Sequence, residues 1–395
     1  MNPDMNPAVR DGDPAALTRA LVAIESINPV LEPGGSGEEA ISRFVADLLM
    51  EWGLDSVRSE CAPGRFNLRA GLGQGDGPTL LLNGHLDTVG VDGMTVDPFG
   101  GAVVRETGEE RMTGRGACDM KAGLAVILAT AYRLRDADVP GRLELLFTAD
   151  EEHASLGMQA AVKEGVEADF AIVTEPTSLA VMPAHKGFSW VRARVAGRAA
   201  HGSRPDVGID AIRSAARFLT ALDGLEARLD AAPAHPLLGH GSLHAGTISG
   251  GQAPSVYPEL CEVRLERRTL PGEDPRAFEA ELADVVAAVR SEHPDVSVEL
   301  ETELVRDGSD VSPDHPGVAM LLDTLEADGL PRRVEGMTAW VDAAFLNAAG
   351  IPSICFGPGS IEQAHSADEW VSLQEIERGA EVLTRFARGF LRVRR

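Results

Sequence analysis

The sequence reads as an α/β chain: a mostly parallel sheet, interrupted by a smaller inserted domain of ferredoxin-like (βαββαβ) order. Three observations predict this. Short, largely apolar runs, Thr79–Leu82, Leu143–Phe147 and Phe170–Val173, alternate with helical periodicities over residues 1–186. That is the pattern of strands buried on both faces by crossover helices. From 187 to 304 the order changes to strand, helix, strand, strand, helix, strand, the signature of a split βαβ sandwich. From Pro313 helix and strand alternate again. The first domain is therefore discontinuous, 1–186 with 305–395, and 187–304 is the insert.

Each element follows from its own pattern. After a start expected to fray, Leu17, Leu21, Val22 and Ile24 recur at helical spacing over Pro14–Glu25. Gly35-Ser36 opens a helix over Glu38–Trp52 with Ile41, Phe44, Val45, Leu48 and Leu49 on one side, and Gly53 ends it. NLRAGLG reads as strand and turn. The strand Thr79–Leu82 runs into Asn83-Gly84-His85-Leu86-Asp87. Pro98–Glu110 reads as loop and hairpin, and a helix over Met120–Arg135 follows GRGACD. The strand Leu143–Phe147 stops abruptly at Thr148-Ala149-Asp150-Glu151-Glu152. A helix over Leu156–Glu164 precedes the strand Phe170–Val173, which ends at Thr174-Glu175-Pro176. In the insert, Ser189–Val195 alternates like a half-buried strand. Val207–Leu229 reads as one long helix, Leu243–Ile248 and Glu259–Arg268 as strands, Pro275–Glu292 as a helix and Val296–Glu303 as the last strand. A helix over Pro316–Asp328, a strand over Pro352–Phe356 leading to Gly357-Pro358-Gly359, and a helix over Ser372–Arg394 with a basic end complete the chain.

With 395 residues, 44% of them hydrophobic, the chain can bury a large core without a metal or disulfide staple. The start, MNPDMNPAVRDGDP, has neither a basic head nor an apolar stretch and does not read as a signal peptide. No run approaches the ~20 apolar residues of a spanning helix. Cys61, Cys118, Cys261 and Cys355 are scattered without CxxC spacing and read as reduced thiols of a cytoplasmic protein. A formal net charge of −25 argues against nucleic acid and anionic membranes as partners.

The acidic turn after Phe147 organises the chemistry. A buried strand that ends in three acids is costly unless something cationic meets them. His85, the Glu151-Glu152 pair and Glu175 lie just past the ends of three separate strands, and Asp119 starts a helix. Sites in parallel sheets gather at the carboxyl ends of the strands. A lone His-x-Asp or Glu-Glu is most often a surface turn; their convergence on one rim points to a site. His85, Asp119, Glu152, Glu175 and His365 suit two borderline divalent ions such as Zn²⁺, with Co²⁺ as an alternative. Two ions about 3.5–4 Å apart can share a water and hold a carbonyl oxygen. Asp119 is the expected shared carboxylate. Asp87, two residues past His85 on an extended segment, is expected to accept the other imidazole N–H. Glu151 is then left to move a proton from water to the leaving amine.

NGHLDTV, GRGACDMKAG, TADEE, TEP and FGPGSIEQAHSADE together resemble the M20 family of dinuclear zinc amidohydrolases, which includes acetylornithine deacetylases, succinyl-diaminopimelate desuccinylases, aminoacylases and glutamate carboxypeptidases. The resemblance covers nearly the whole chain, insert included. It implies a metal-binding catalytic domain and an insert serving as lid and dimerisation surface of a homodimer. By that likeness His85 and Glu175 would hold one metal, Glu152 and His365 the other, and Asp119 would bridge them. Asp87 would orient His85 and Glu151 would be the base. The likeness also implies a cis peptide at Asp119-Met120. GRAAHGSRPDVGIDAI resembles the lid segment, in which His201 would reach the partner subunit's site and help hold the developing oxyanion. RRTLPGE matches an RxxPGE pattern, making Arg268 the clamp for a substrate carboxylate. Ser255 in APSVYP stands where many members have a substrate-binding Asn, and has fewer donors and a shorter reach. Glu266 stands where members usually carry Asp. Gly359, in GPGS, is read as a further substrate contact.

WVDAAFL, with Asp342, and the run GPGSIEQAH lean toward acetylornithine deacetylase. Ala344 replaces an arginine common in desuccinylases, which disfavours a succinyl group with its extra carboxylate. The expected function is hydrolysis of the amide of an N-acyl amino acid, N-acetylornithine or a relative. The alternatives are a dipeptidase, carboxypeptidase or desuccinylase with the same dinuclear machinery, and, outside that class, a non-catalytic scaffold, which retention of Glu151 and the donor set disfavours. His153, His185, His235, His240, His244, His293 and His315 read as structural or solvated, His185 in AHKG being the best of them for a site role. Cys118 reads as a packing residue, because no uncommitted base is left to activate its thiol.

Overall fold

Parallel strands form where the sequence has short, largely apolar runs. A computed structural model describes residues 6–73, 75–106 and 108–393. Residues 1–5 of the start expected to fray, and Arg394 of the expected closing helix, lie outside the described residues. The chain forms two compact units: Met1–Pro183 with Val311–Glu335 and Val341–Arg395, and Ala184–Asp310 with Gly336–Trp340.

The first unit is built on a mixed sheet with strand order Ser56–Ala62, Arg65–Gly73, Arg142–Thr148, Thr79–His85, Phe170–Val173, Ser353–Cys355 and Val181–His185, of which Ala184 and His185 already belong to the second unit. The four strands from Arg142–Thr148 to Ser353–Cys355 are parallel, and the flanking pairs are antiparallel. Their register sets the site. His85 lies opposite Thr148 and Asn83 opposite Val173, so His85, the acidic turn and Glu175 leave the sheet at one level. The helix Ala122–Leu134 is buried on nearly all sides, from Ala122 to Ala131 without a break. It packs against the helices Pro14–Val22 and Leu373–Phe390 and covers one face of the sheet. Asp13 caps the first of these, its Oδ1 accepting from the Ala16 N–H at 2.7 Å, with Pro14 at the first helical position, where its missing N–H costs nothing. Leu17, Leu21, Leu82, Leu124, Leu145 and Phe386 belong to one fully buried core cluster.

The expected hairpin is Ala102–Glu106 with Glu109–Thr113, and Trp370–Ser372 joins it to make a three-stranded sheet. The strand Ser56–Ala62 carried no apolar signal; it is the edge of the large sheet and its Val57 is exposed.

The second unit is a four-stranded antiparallel sheet in the order Ser242–Gly250, Leu260–Thr269, Gly187–Ala196, Ser297–Arg306. Its own core holds Val191, Val195, Phe218, Val263, Leu265, Phe278 and Leu282. The single long helix expected over Val207–Leu229 is instead two, Ala211–Ala221 and Asp223–Ala231. Ile209 pairs with Arg198 in an isolated bridge, which holds the chain extended up to the Asp210 cap. At the junction the Leu222 N–H bonds to Leu219 O, a tighter turn than an α-helix makes. No helix among the described residues is long and apolar enough to cross a membrane.

Candidate metal centre

Three donors from three segments converge: ligand atoms of His85, Asp119 and Glu152 all lie within 4.8 Å of one another. His85 Nε2 is 3.0 Å from Asp119 Oδ1. His365 Nε2 is 3.0 Å from Glu152 Oε2 and 3.4 Å from Asp119 Oδ2. Asp119 thus lies between the two imidazoles, one carboxylate oxygen toward each. Glu151 Oε2 is 4.0 Å from His85 Nε2. Glu175 is buried, and its carboxylate acts electrostatically on His85. Asp119 lies inside one wide π turn, Ala117–Lys121, and its peptide bond to Met120 is cis. His365 is held at φ 60°.

Asp87 departs from its expected contact. The His85 Nδ1 partner is the Asp87 main-chain oxygen, at 2.9 Å, while the nearer carboxylate oxygen stands 3.8 Å away. The Asp87 carboxylate is turned instead to the acidic turn. It accepts from the N–H groups of Glu151 at 3.1 Å and Glu152 at 3.3 Å, and from Asn28 Nδ2 at 2.8 Å. Main-chain donors are fixed in place and outcompete a side-chain imidazole for that carboxylate; the imidazole keeps the same tautomer through a carbonyl.

Charge in this cluster is unbalanced. Burial pushes the Glu151 and Glu152 carboxyls up, and Glu175 to about 8, with neighbouring carboxylates adding to the effect. Burial also acts against Asp119, but hydrogen bonds from His365 and His85 outweigh it and hold that carboxyl well below the usual range. Hydrogen bonds to Asp119 and Glu152 lift His365 to about 10. Glu152 Oε1 and Glu175 Oε1 are buried with no hydrogen-bond partner among the described residues. A buried oxygen left unpaired costs ~1–3 kcal/mol, more when charged. Imidazole nitrogens and carboxylate oxygens at this spacing, two of them unsatisfied, fit divalent cations.

Residues that the sequence did not flag hold this arrangement. Arg65, in the second strand of the sheet, is buried, as are Glu38 and Asp150. Its Nε is 2.8 Å from Glu38 Oε2 and its Nη1 2.8 Å from Asp150 Oδ1. Asn28 Nδ2 donates to both Asp150 and Asp87, at 3.0 and 2.8 Å. An arginine in an alternating strand gives no sign that it faces inward.

In the second unit, His201 and Ser255 are neighbours: Gly202 N donates to Ser255 O at 2.7 Å, and His201 pairs with Val256. His201 is exposed, and its Nδ1 accepts from the Ser203 N–H at 3.2 Å, with Ser203 Oγ at 2.8 Å. In the neutral ring the proton is therefore on Nε2, free to donate. Arg268 Nε donates to Glu266 Oε1 at 2.8 Å, and its guanidinium lies 5.3 Å from the Phe188 ring centroid. Gly359, expected as a substrate contact, packs closely against Cys118. It is buried, its N–H donates to Glu375 Oε2 at 2.7 Å, and a Cβ there would meet Cys118 Sγ at 2.6 Å at φ 85°.

His185 is a satisfied core histidine of the second unit. Nδ1 is 3.1 Å from Lys186 O and Nε2 2.8 Å from Ser309 Oγ, a fully paired neutral ring, and burial pushes its pKa down to about 4. The unfolded chain takes up this proton below pH ~6.5 while the native chain does not. The stability tied to His185 is thus full above that pH and is lost as pH falls toward 4, by ~3 kcal/mol in all. Denaturant unfolding of H185Q across this window should show a correspondingly shallower loss than wild type; equal slopes would refute it.

Comparison with known proteins agrees with this geometry. The model of peptidase family M20/M25/M40 matches residues 81–389. Acetylornithine deacetylase of Proteus mirabilis (strain HI4320) is 32% identical over 383 residues, covering 95% of this chain and 96% of that protein. A tripeptidase from Staphylococcus aureus subsp. aureus Mu50 has the same fold, with a TM-score of 0.80 at 21% identity over 97% of this chain and 99% of that one. So does a dinuclear metal-binding peptidase of the M20 family from Bacillus subtilis, with a TM-score of 0.72 at 16% identity over 97% and 99%. Strand ends, a turn and a loop that bring imidazoles and carboxylates to one point, in a chain matched along nearly its whole length, place it in peptidase family M20/M25/M40 as a metal-dependent amidohydrolase.

Proposed function

We propose that the chain hydrolyses the amide of an N-acyl amino acid, N-acetylornithine or a relative, with two divalent cations, Zn²⁺ or Co²⁺. The observation that carries this is the cluster of His85, Asp119 and Glu152 donors within 4.8 Å, with Glu151 beside it. The acyl class is supported by the 32% identity to the Proteus mirabilis acetylornithine deacetylase.

In this reading His85 and Glu175 would hold one ion and Glu152 and His365 the other, with Asp119, which lies between the two imidazoles, available to both. Bound divalent cations supply Lewis acidity toward an amide carbonyl and toward water. Glu151 takes the proton of the attacking water and hands it to the leaving amine nitrogen. Asp87 fixes the turn that carries Glu151 and Glu152. His201 donates from Nε2 to the oxyanion in the site of a partner subunit, Arg268 takes the substrate carboxylate, and Ser255 lies beside His201 as a weaker polar contact. The homodimer forms through the second unit, whose edge strand Ser242–Gly250 is exposed along most of its length, with Ile248 outward. Four unpaired cysteines suit the cytoplasm.

A substrate panel on chelated and metal-reloaded enzyme tests the reading. N-acetylornithine should be turned over at least about tenfold more efficiently (kcat/KM) than N-succinyl amino acids or di- and tripeptides, a preference of ~1.4 kcal/mol. Chelation should abolish the activity and Zn²⁺ or Co²⁺ restore it. Silence toward every N-acetyl amino acid with turnover of peptides would replace this reading by a peptidase one.

A further inference from the structure

Glu369 stands outside the donor set, yet it is fully buried and receives four donors. Arg115 Nη1 reaches it at 2.7 Å, and the main-chain N–H groups of Gly116, Cys118 and Asp119 at 3.0, 2.8 and 3.1 Å. All three N–H groups belong to the turn that carries Asp119. The same guanidinium donates through Nε to Gly90 O at 2.8 Å, three residues past Asp87. Gly114 N donates to the main-chain oxygen of Glu369 at 3.0 Å. Glu369 itself is four residues past His365, just before Trp370 pairs with Thr113. One carboxylate therefore ties together the segments that deliver His85, Asp119 and His365.

Within the turn the main-chain bonds run from Ala117 N to Gly114 O and from Lys121 N to Gly116 O, so the N–H groups of Gly116, Cys118 and Asp119 are satisfied by Glu369. Asp119 and Met120 are non-helical in φ and ψ inside a single wide turn. N–H groups converging on one anion form a concave nest whose shape depends on that anion. Move the anion, and the Asp119 main chain is free to rotate its carboxylate away from the two imidazoles.

We infer that Glu369 is a positioning residue for the metal centre: it fixes the Asp119 carboxylate between His85 and His365 through the Gly116–Asp119 main chain, with Arg115 as its counter-ion and its tie to the His85 segment. The inference rests on the reading of Asp119 as the shared ligand. Glu369 acts on Asp119 only through main-chain N–H groups, so its removal changes where the ligand sits and not how many ligands there are.

The test is a Co²⁺ titration of chelated wild type, E369Q, E369D and D119N, followed by calorimetry and visible absorption, with thermal unfolding measured in parallel. E369Q keeps the volume but turns an NH₂ toward N–H donors. E369D keeps the charge and withdraws it by one methylene. Both should bind Co²⁺ about 10–100-fold more weakly, the range seen when groups that orient a ligand are removed, with a changed spectrum. Their kcat should fall in step while KM stays within about threefold, as expected when the loss is confined to the reacting geometry. Affinity and spectrum within twofold of wild type in E369D, whatever its Tm, would overturn the inference, and E369D decides alone should E369Q fail to fold. D119N separates the two levels. If D119N binds both ions as wild type does, the shared-ligand reading falls. If D119N loses metal while the Glu369 variants keep it, only the positioning role falls.

Discussion

Glu151→Gln is expected to keep both metals and lose about three orders of magnitude in kcat, the middle of the range for a removed general base. The substitution preserves shape. The N–H of residue 151 still donates to Asp87 Oδ1, as it does at 3.1 Å now, so the acidic turn and Glu152 keep their places. What is lost is a carboxylate able to take a proton and give it back. A loss near 10³ corresponds to ~4 kcal/mol of barrier. KM should move by less than about threefold, because the loss falls on the transition state and not on substrate binding. Glu152→Gln provides the contrast: Glu152 Oε2 is 3.0 Å from His365 Nε2 and its Oε1 is unsatisfied, so that change should release metal as well as activity. Metal content per chain and kcat at saturating substrate check both. If Glu151→Gln keeps kcat within tenfold of wild type, the proton must travel by another group.

What could be read ahead of the structure, and what could not, divides along a physical line. The strands that carry His85, Glu151 and Glu175 were legible because parallel strands covered on both faces must be continuous apolar runs. The donors themselves were legible because acids stacked at the ends of such runs have no apolar reason to be there. Asp87 marks the edge of that method: two-residue spacing correctly puts it near His85, but which of its oxygens meets the imidazole depends on donors from the turn at Glu151, 64 residues on. Arg65, Glu38, Asn28 and Glu369 were invisible for the same reason. Their partners lie 27 to 254 residues away in sequence, and no periodicity encodes a pairing at that range. The strand Ser56–Ala62 was missed because an edge strand with polar residues on both faces has no alternation to display. Residues 336–340, part of the second unit although they follow the last of its strands by some thirty residues, carry no compositional mark of where they fold.

The Arg65 network makes the largest stability prediction. Arg65→Met should destabilise the protein by ~3–5 kcal/mol, the cost of breaking a buried ion pair from one side. Methionine fills much the same space, so the effect is one of charge. Glu38 and Asp150, both fully buried, would lose their guanidinium, and Glu38 would keep only the Asp150 N–H, at 3.3 Å, among its present donors from outside its own segment. The pH dependence identifies the cause. Burial already holds the Glu38 carboxyl above its usual value with Arg65 present, and without the cation it must rise further. A carboxyl whose folded pKa lies above its unfolded value weakens the fold at high pH, and the penalty disappears as pH falls through the unfolded value of about 4.3. The deficit of Arg65→Met should therefore be widest near neutrality and shrink toward pH 4, and adding Glu38→Gln should recover part of it at pH 7 by removing the stranded charge. Denaturant unfolding of wild type, the single variants and the double variant at three pH values measures each of these quantities. A deficit below about 1 kcal/mol at pH 7, the scale of an exposed pair, or one that stays constant with pH, would mean that the guanidinium is not what keeps the acidic turn folded beneath the metal centre.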